Sequence, residues 1–247
     1  MIVYIFDGSF EGYLTSIYES YYNNKKPNSI ITKANYEPNL IDEFINIYTN
    51  YEKANKVYKS MNEKFSYEVI KNIIYCFLSS YSNTHTLLYK YIRLAFKLGN
   101  EIELHLHNEI VMEVVKIVRR VNGESHSMLG FVRFKKIGDN HYYSAIEPDH
   151  NILTLIAPHF SSRFSNENFI IHDLKRNSAI INKNNTWSID VLTKEDGKIF
   201  LNAKDEGEYE ALWKNYFNST SISSRENLKL QRQHMPIRYW KHLTEKL

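Results

Sequence analysis

The sequence predicts an α+β protein: a helical N-terminal half around one short strand, then an antiparallel sheet of about five strands with helices packed on it. Three observations lead there. Apolar residues recur at helical spacing through most of the first half of the chain. After Gly123 the texture changes to short alternating runs separated by polar turns. The final segments return to a helical pattern. Residues 1–123 and 124–247 are therefore candidate domains. No Pro-, Gly- or Ser-rich linker separates them, so a single domain over 1–247 fits equally well.

The opening run "IVYIF" (Ile2–Phe6) reads as a fully buried strand. Asp7 or Ser9 then caps a helix whose Phe10, Tyr13, Leu14, Ile17 and Tyr21 follow helical spacing. "NNKKPNS" is a turn and "IIT" a second short strand. From Tyr51 to Leu98 the pattern is helical, and Gly99 is placed to end the last of these helices. Residues 102–121 are expected to form a long amphipathic helix stopped by Gly123. "LGFVRFKKI" and "HYYSAIEP" are alternating runs joined by "GDN", a hairpin signal. "FIIHDLKR", "SAIINKN" and "WSIDVLT" follow as three more strands. A helix over about 151–164 interrupts the set, and "YEALWKNYFNST", "SRENLKLQRQHMP" and "IRYWKHLTE" are helical again.

Composition removes several function classes. A hydrophobic share of 43% and a charged share of 24% are those of a soluble globular protein. The 19 Tyr against 8 Gly match the bias of an AT-rich genome and point to no particular chemistry. One cysteine, Cys76, excludes an internal disulfide framework and any Cys-based zinc or iron–sulfur site in this chain; lying in "IIYCFL", it reads as a buried thiol. The first residues lack a signal-peptide pattern and no apolar run has membrane-spanning length, so a cytoplasmic protein with no membrane partner is expected. The net charge of +3 is unevenly placed. From Arg225 onward six basic residues face only Glu226 and Glu245, which leaves the rest of the chain slightly acidic. Such an asymmetry suggests an anionic partner.

Chemistry concentrates in "AIEPDHNILTLIAPHFSSRF". Glu147, His150, His159 and Arg163 are the residue types of a general acid/base site, with His172 and Asp173 on the following strand able to join them. The other reading is structural: Asp149, His150 and Asn151 form a strand-to-helix turn whose side chains cap the helix, and Pro158 kinks or breaks it. Both readings can hold together. There is no H-E-x-x-H or C-x-x-C spacing. His105 and His107 in "LHLHN" are weak metal candidates that fit surface positions better, so neither a metal site nor a cofactor is expected. In the tail, Arg225, Lys229 and Arg232 share one helical stripe. With Arg238 and Lys241 they can meet phosphates, and Tyr239 and Trp240 offer rings for stacking; the alternative makes the rings core and the charges a solvated face.

Taken together, "VYIFDGSFEGYLTSIYESYY", "EPDHNILTLIAPHFSSRF" with "FIIHDLKR", and "LWKNYFNSTSISSRENLKLQRQHMPIRYWKHLTE" resemble the bacterial DNA metabolism/repair proteins that accompany a radical SAM protein. In larger members the module is fused to a uracil-DNA glycosylase-type domain. That domain would follow "MPIRYWK", and the chain ends at Leu247, so glycosylase activity is not expected here. Radical chemistry needs a three-cysteine motif and would belong to the partner. The resemblance implies an accessory protein of DNA metabolism or repair that binds DNA and works with the radical SAM protein. Two alternatives stay open: a DNA- or nucleotide-processing enzyme using the Glu/His/Arg set, and a scaffold that binds only protein.

Overall fold

A computed structural model describes residues 1–201 and 227–246. The chain divides into two compact units, Met1–Asn122 and Gly123–Leu247, with a single division between them. It lies inside a helix rather than in a linker.

In the first unit, strand β1 (Ile2–Phe6) is buried along most of its length and is the centre of a sheet. It pairs in parallel with β2 (Ser29–Thr32) on one side and β3 (Glu43–Asn46) on the other. The expected lone strand is thus the middle of three. Between β1 and β2 runs helix α1 (Phe10–Tyr22), and Ser9 is its N-cap, accepting from the Gly12 amide at 2.9 Å. Gly12 is required there. A Cβ at this position would lie 2.3 Å from Asp7 Oδ1 and 2.8 Å from Thr49 Oγ1.

Helix α2 (Tyr51–Lys64) lays Ala54, Val57 and Met61 along α1, while Asn50 caps it through the Lys53 amide at 3.0 Å. Helices α3 (Tyr67–Phe77) and α4 (Thr84–Leu98) follow, and Gly99 ends α4 at φ +62, a conformation glycine adopts without steric cost. Burial pushes the Cys76 thiol up to about 12, so it is an inert core group as its apolar context implied. His85 is wrapped by the rings of Phe6, Tyr13 and Phe77, with centroids 5.1–5.7 Å away, and this burial pushes its imidazole down to about 4.

The helix expected over 102–121 is displaced. Residues Gly99–Leu104 form a 3₁₀ turn, and helix α5 runs from Glu109 to Phe131. Asn108 sets the new start by accepting from the Ile110 amide at 2.9 Å. Gly123 does not stop it, because glycine inside a helix costs only about 1 kcal/mol and no residue crowds the site. His105 and His107 sit in the preceding turn with ring centroids 5.3 Å apart, and no group of three metal-ligating residues occurs among the described residues.

In the second unit five strands lie in the order β4-β5-β6-β7-β8: Lys135–Gly138, His141–Ile146, Asn168–Asp173, Ser178–Lys183 and Thr186–Val191. "LGF" of the expected first strand belongs to α5 instead. Three junctions are antiparallel as expected, but β5 and β6 pair in parallel from His141↔Asn168 to Ile146↔Asp173. The reason is helix α6 (Leu153–Arg163): a crossover helix returns the chain to the same end of the sheet, whereas a hairpin reverses it. Pro158 sits inside α6 without breaking it. The helix instead buries Leu153, Ile156, Ala157 and Phe160; Phe134 and Phe164 meet the Phe160 ring, and Phe169 meets both of them.

Helix α7 (Lys194–Leu201) follows β8. The expected helix "YEALWKNYFNST" lies outside the described residues, as does Arg225. Helix α8 spans Leu228–His234, and a 3₁₀ turn spans Ile237–His242. No helix among the described residues is long and apolar enough to cross a membrane.

Candidate functional site

The parallel pair β5/β6 ends at Ile146 and Asp173, and the turn Glu147–Asn151 leaves β5 at that edge. In open α/β sheets, groups beyond the carboxyl ends of parallel strands gather into sites. Here they gather into an ion-pair cluster. Glu124 of α5, 7% exposed at its side chain, accepts from the Asp149 amide at 2.7 Å and the His150 amide at 2.8 Å. It also accepts from the Tyr239 hydroxyl. The expected capping by Asp149 or Asn151 is absent: Ile152 is the N-cap and makes no side-chain cap bond. The turn is held from outside, by Glu124, rather than by its own side chains.

Asp173 is fully buried and accepts from the Lys175 amide at 2.9 Å, the Arg176 amide at 3.2 Å and Arg176 Nη1 at 2.7 Å. The same guanidinium reaches the Pro148 carbonyl at 3.1 Å and the Asp149 carbonyl. One guanidinium thus fixes the β5 exit to the β6 exit.

The C-terminal segment closes the cluster. Arg238 lies 2.8 Å from Asp149 Oδ2, donates to the Tyr239 hydroxyl at 2.9 Å and stacks over that ring at 4.6 Å. Lys241 donates to Glu147 at 2.7 Å, and His242 Nε2 lies 3.6 Å from the other oxygen. Partial burial pushes the Glu147 carboxyl up, but Lys241, His242 and Lys194 outweigh it and the net shift is downward. Burial pushes His150 and His242 below the ordinary imidazole value, against the opposing pull of Glu124 and Asp149 on the first and Glu147 on the second.

Of the expected acid/base set, Glu147 and His150 join this cluster, while His159 and Arg163 do not. Both are exposed on α6, and neither forms a hydrogen bond or ion pair with another described residue; the His159 ring meets only the edge of Phe160. His172 is fully buried between the Tyr143 hydroxyl at 2.9 Å from Nδ1 and the Leu192 carbonyl at 2.9 Å from Nε2. A carbonyl can only accept, so Nε2 carries the proton and Nδ1 accepts from Tyr143. Burial pushes that phenol up to about 12, and Gly197 of α7 covers the pair closely. With both ring nitrogens bonded inside the core, His172 of β6 ties β5, through Tyr143, to the Leu192 carbonyl just after β8.

The expected nucleic-acid set divides in the same way. Arg238 and Lys241 are engaged by Asp149 and Glu147, and Tyr239 is 3% exposed, closed to stacking. Trp240 is half-buried; its indole donates to the Met235 carbonyl at 2.9 Å, and Lys246 covers one face at 4.8 Å. Lys229 and Arg232, three apart on α8, are exposed and paired with no described carboxylate. Glu124, which organises the cluster, gave no sequence signal, because it lies 25 residues before Asp149 and 115 before Tyr239.

The geometry therefore defines an α+β protein whose C-terminal segment is clamped onto a carboxylate-bearing strand-to-helix turn. Residues 82–245 match the family DUF4130, described as a domain of unknown function, and the chain belongs to that family. No curated protein and no solved structure matches the chain.

Proposed function

We propose that the protein is a nucleic-acid-binding accessory protein of DNA metabolism that acts beside a radical SAM partner, with the cations of α8 meeting phosphates. The observation that carries the binding reading is the difference between Lys229 and Arg232 and their neighbours in sequence. Both are exposed and pair with no described carboxylate, so no described ion pair has to break when a phosphate arrives. At Arg238 and Lys241 it would have to break an existing pair first. The DNA-metabolism context and the radical SAM partner rest on the sequence resemblance.

The test is DNA affinity measured across a salt series. Two phosphate contacts give a slope of log K against log salt of about −2, and replacing Lys229 and Arg232 together by Ala flattens it by nearly that amount. Absence of binding at low salt, both alone and with the radical SAM protein added, refutes the proposal.

A further inference from the structure

Within the N-terminal unit, residues of α1, α2 and α4 line an open cleft of about 670 Å³. Its volume falls inside the range of roughly 300–1,000 Å³ typical of small-molecule sites. One wall is aromatic. Tyr18 and Tyr22, one helical turn apart on α1, stack at 4.4 Å with planes 25° apart, and Tyr21 meets the edge of Phe96 from α4 at 6.1 Å. This wall is open to solvent: Tyr22 is 74% exposed and Tyr21 49%.

The opposite wall is basic. Lys56, Ser60 and Lys64 recur every four residues on α2 and so share one face, the two lysines separated by about 12 Å along the axis. Neither lysine pairs with a described carboxylate, and no described lining residue is acidic. The Lys64 ammonium already lies 5.6 Å from the Phe96 ring centroid, at the junction of the two walls. Lys53, on the same helix but outside the lining, shows the contrast. Glu19 holds it at 2.6 Å.

We propose that this cleft binds a mononucleotide, its base against the tyrosine wall and its phosphate between Lys56 and Lys64. A purely apolar ligand would leave two unpaired ammonium groups beside it, and a bare phosphate would leave the aromatic surface in water. A planar aromatic group carrying an anion uses both walls, since stacking is available to every base and a charge-assisted contact is available to its phosphate. The site lies in the first unit and does not involve α8, so it goes beyond the phosphate contacts proposed above.

Calorimetric titration of the full chain with AMP, with adenosine and with inorganic phosphate tests it. AMP is expected to bind, adenosine to bind at least about 10-fold more weakly, and phosphate not to compete at equal concentration. The Lys56→Ala/Lys64→Ala double variant should weaken AMP by about 10-fold or more, and Tyr22→Ala by about 5-fold or more. These side chains are exposed, so the melting temperature should hold in both variants and show that the fold is intact. Lys229→Ala/Arg232→Ala should leave AMP binding unchanged, which separates this site from the α8 contacts. No binding of AMP at millimolar concentration overturns the proposal, as does AMP binding that neither variant weakens, or phosphate competing as well as AMP.

Discussion

The N-terminal cleft and the C-terminal cluster both present basic side chains, yet they are chemically opposite. At the cluster Arg238 and Lys241 sit 2.8 Å and 2.7 Å from Asp149 and Glu147, so their charge is spent within the fold. At the cleft Lys56 and Lys64 have aromatic rings and solvent around them and no described carboxylate. A count of basic residues ranks the C-terminal segment first as an anion site. Within the segment, Lys229 and Arg232 are exposed and meet no described carboxylate, unlike Arg238 and Lys241. Cation availability depends on the nearest carboxylate, and for Lys241 that carboxylate, Glu147, lies 94 positions away in sequence.

The comparison can be broken most forcefully at Glu124. Replacing it by Ala leaves the part-buried amides of Asp149 and His150 and the Tyr239 hydroxyl without this acceptor. A fully buried unsatisfied group costs about 1–3 kcal/mol, and water reaches these part-buried ones in part, so a loss of roughly 2–3 kcal/mol is expected in urea unfolding. A loss below about 1 kcal/mol would mean that the C-terminal clamp is not organised by this carboxylate.

Acid separates the two units by mechanism. His85 is held neutral by its ring cage, with a folded pKa of about 4 against an ordinary 6.5. A depressed value means that its contribution is fully present above 6.5 and is lost as pH falls toward 4. The lowered values of His242 and Glu147 act with the same sign: imidazole protonation first and carboxylate protonation at lower pH both weaken the clamp. The clamp rests on charge pairs, some partly exposed, so salt should blunt its share more than that of the buried His85. Ring-proton NMR should find His85 titrating near 4, and a value near 6.5 would show that its cage is open to water.

The smallest effect is expected where a pair is exposed. Lys241→Ala removes a contact to Glu147 whose lysine side chain is 55% exposed, and such pairs contribute about 0–1 kcal/mol. Lys56→Ala, which breaks no described pair, should change stability by less than about 0.5 kcal/mol. Matched thermal melts of the two variants read the difference directly, and a larger loss from Lys56→Ala would assign that lysine an internal role.

Local signals carried most of the elements. Ile2–Phe6, the Ser9 cap, the helices from Tyr51 to Leu98, the Gly99 stop and the hairpin over "GDN" each rest on periodicity or turn chemistry within a few residues. Strand β3 escaped because four residues with an exposed–intermediate–intermediate–exposed pattern show no alternation. The "EPDH" turn was legible as a concentration of polar chemistry, but its role was not. Its partners Glu124, Arg176, Arg238 and Lys241 lie 25 to 94 positions away.

By itself the sequence determined the fold class, the change of texture near residue 123, the buried thiol and the positions of most helices and strands. These follow from hydrophobic period and backbone preference, which act over one or two turns of chain. Only the tertiary structure decided that β5 and β6 run parallel, that Glu124 rather than Asp149 secures the turn, and that Arg238 and Lys241 meet Asp149 and Glu147. Strand direction depends on the crossover that joins the strands, and the partner of a charge depends on what folding brings within about 4 Å. Neither distance is written in the spacing of residues along the chain.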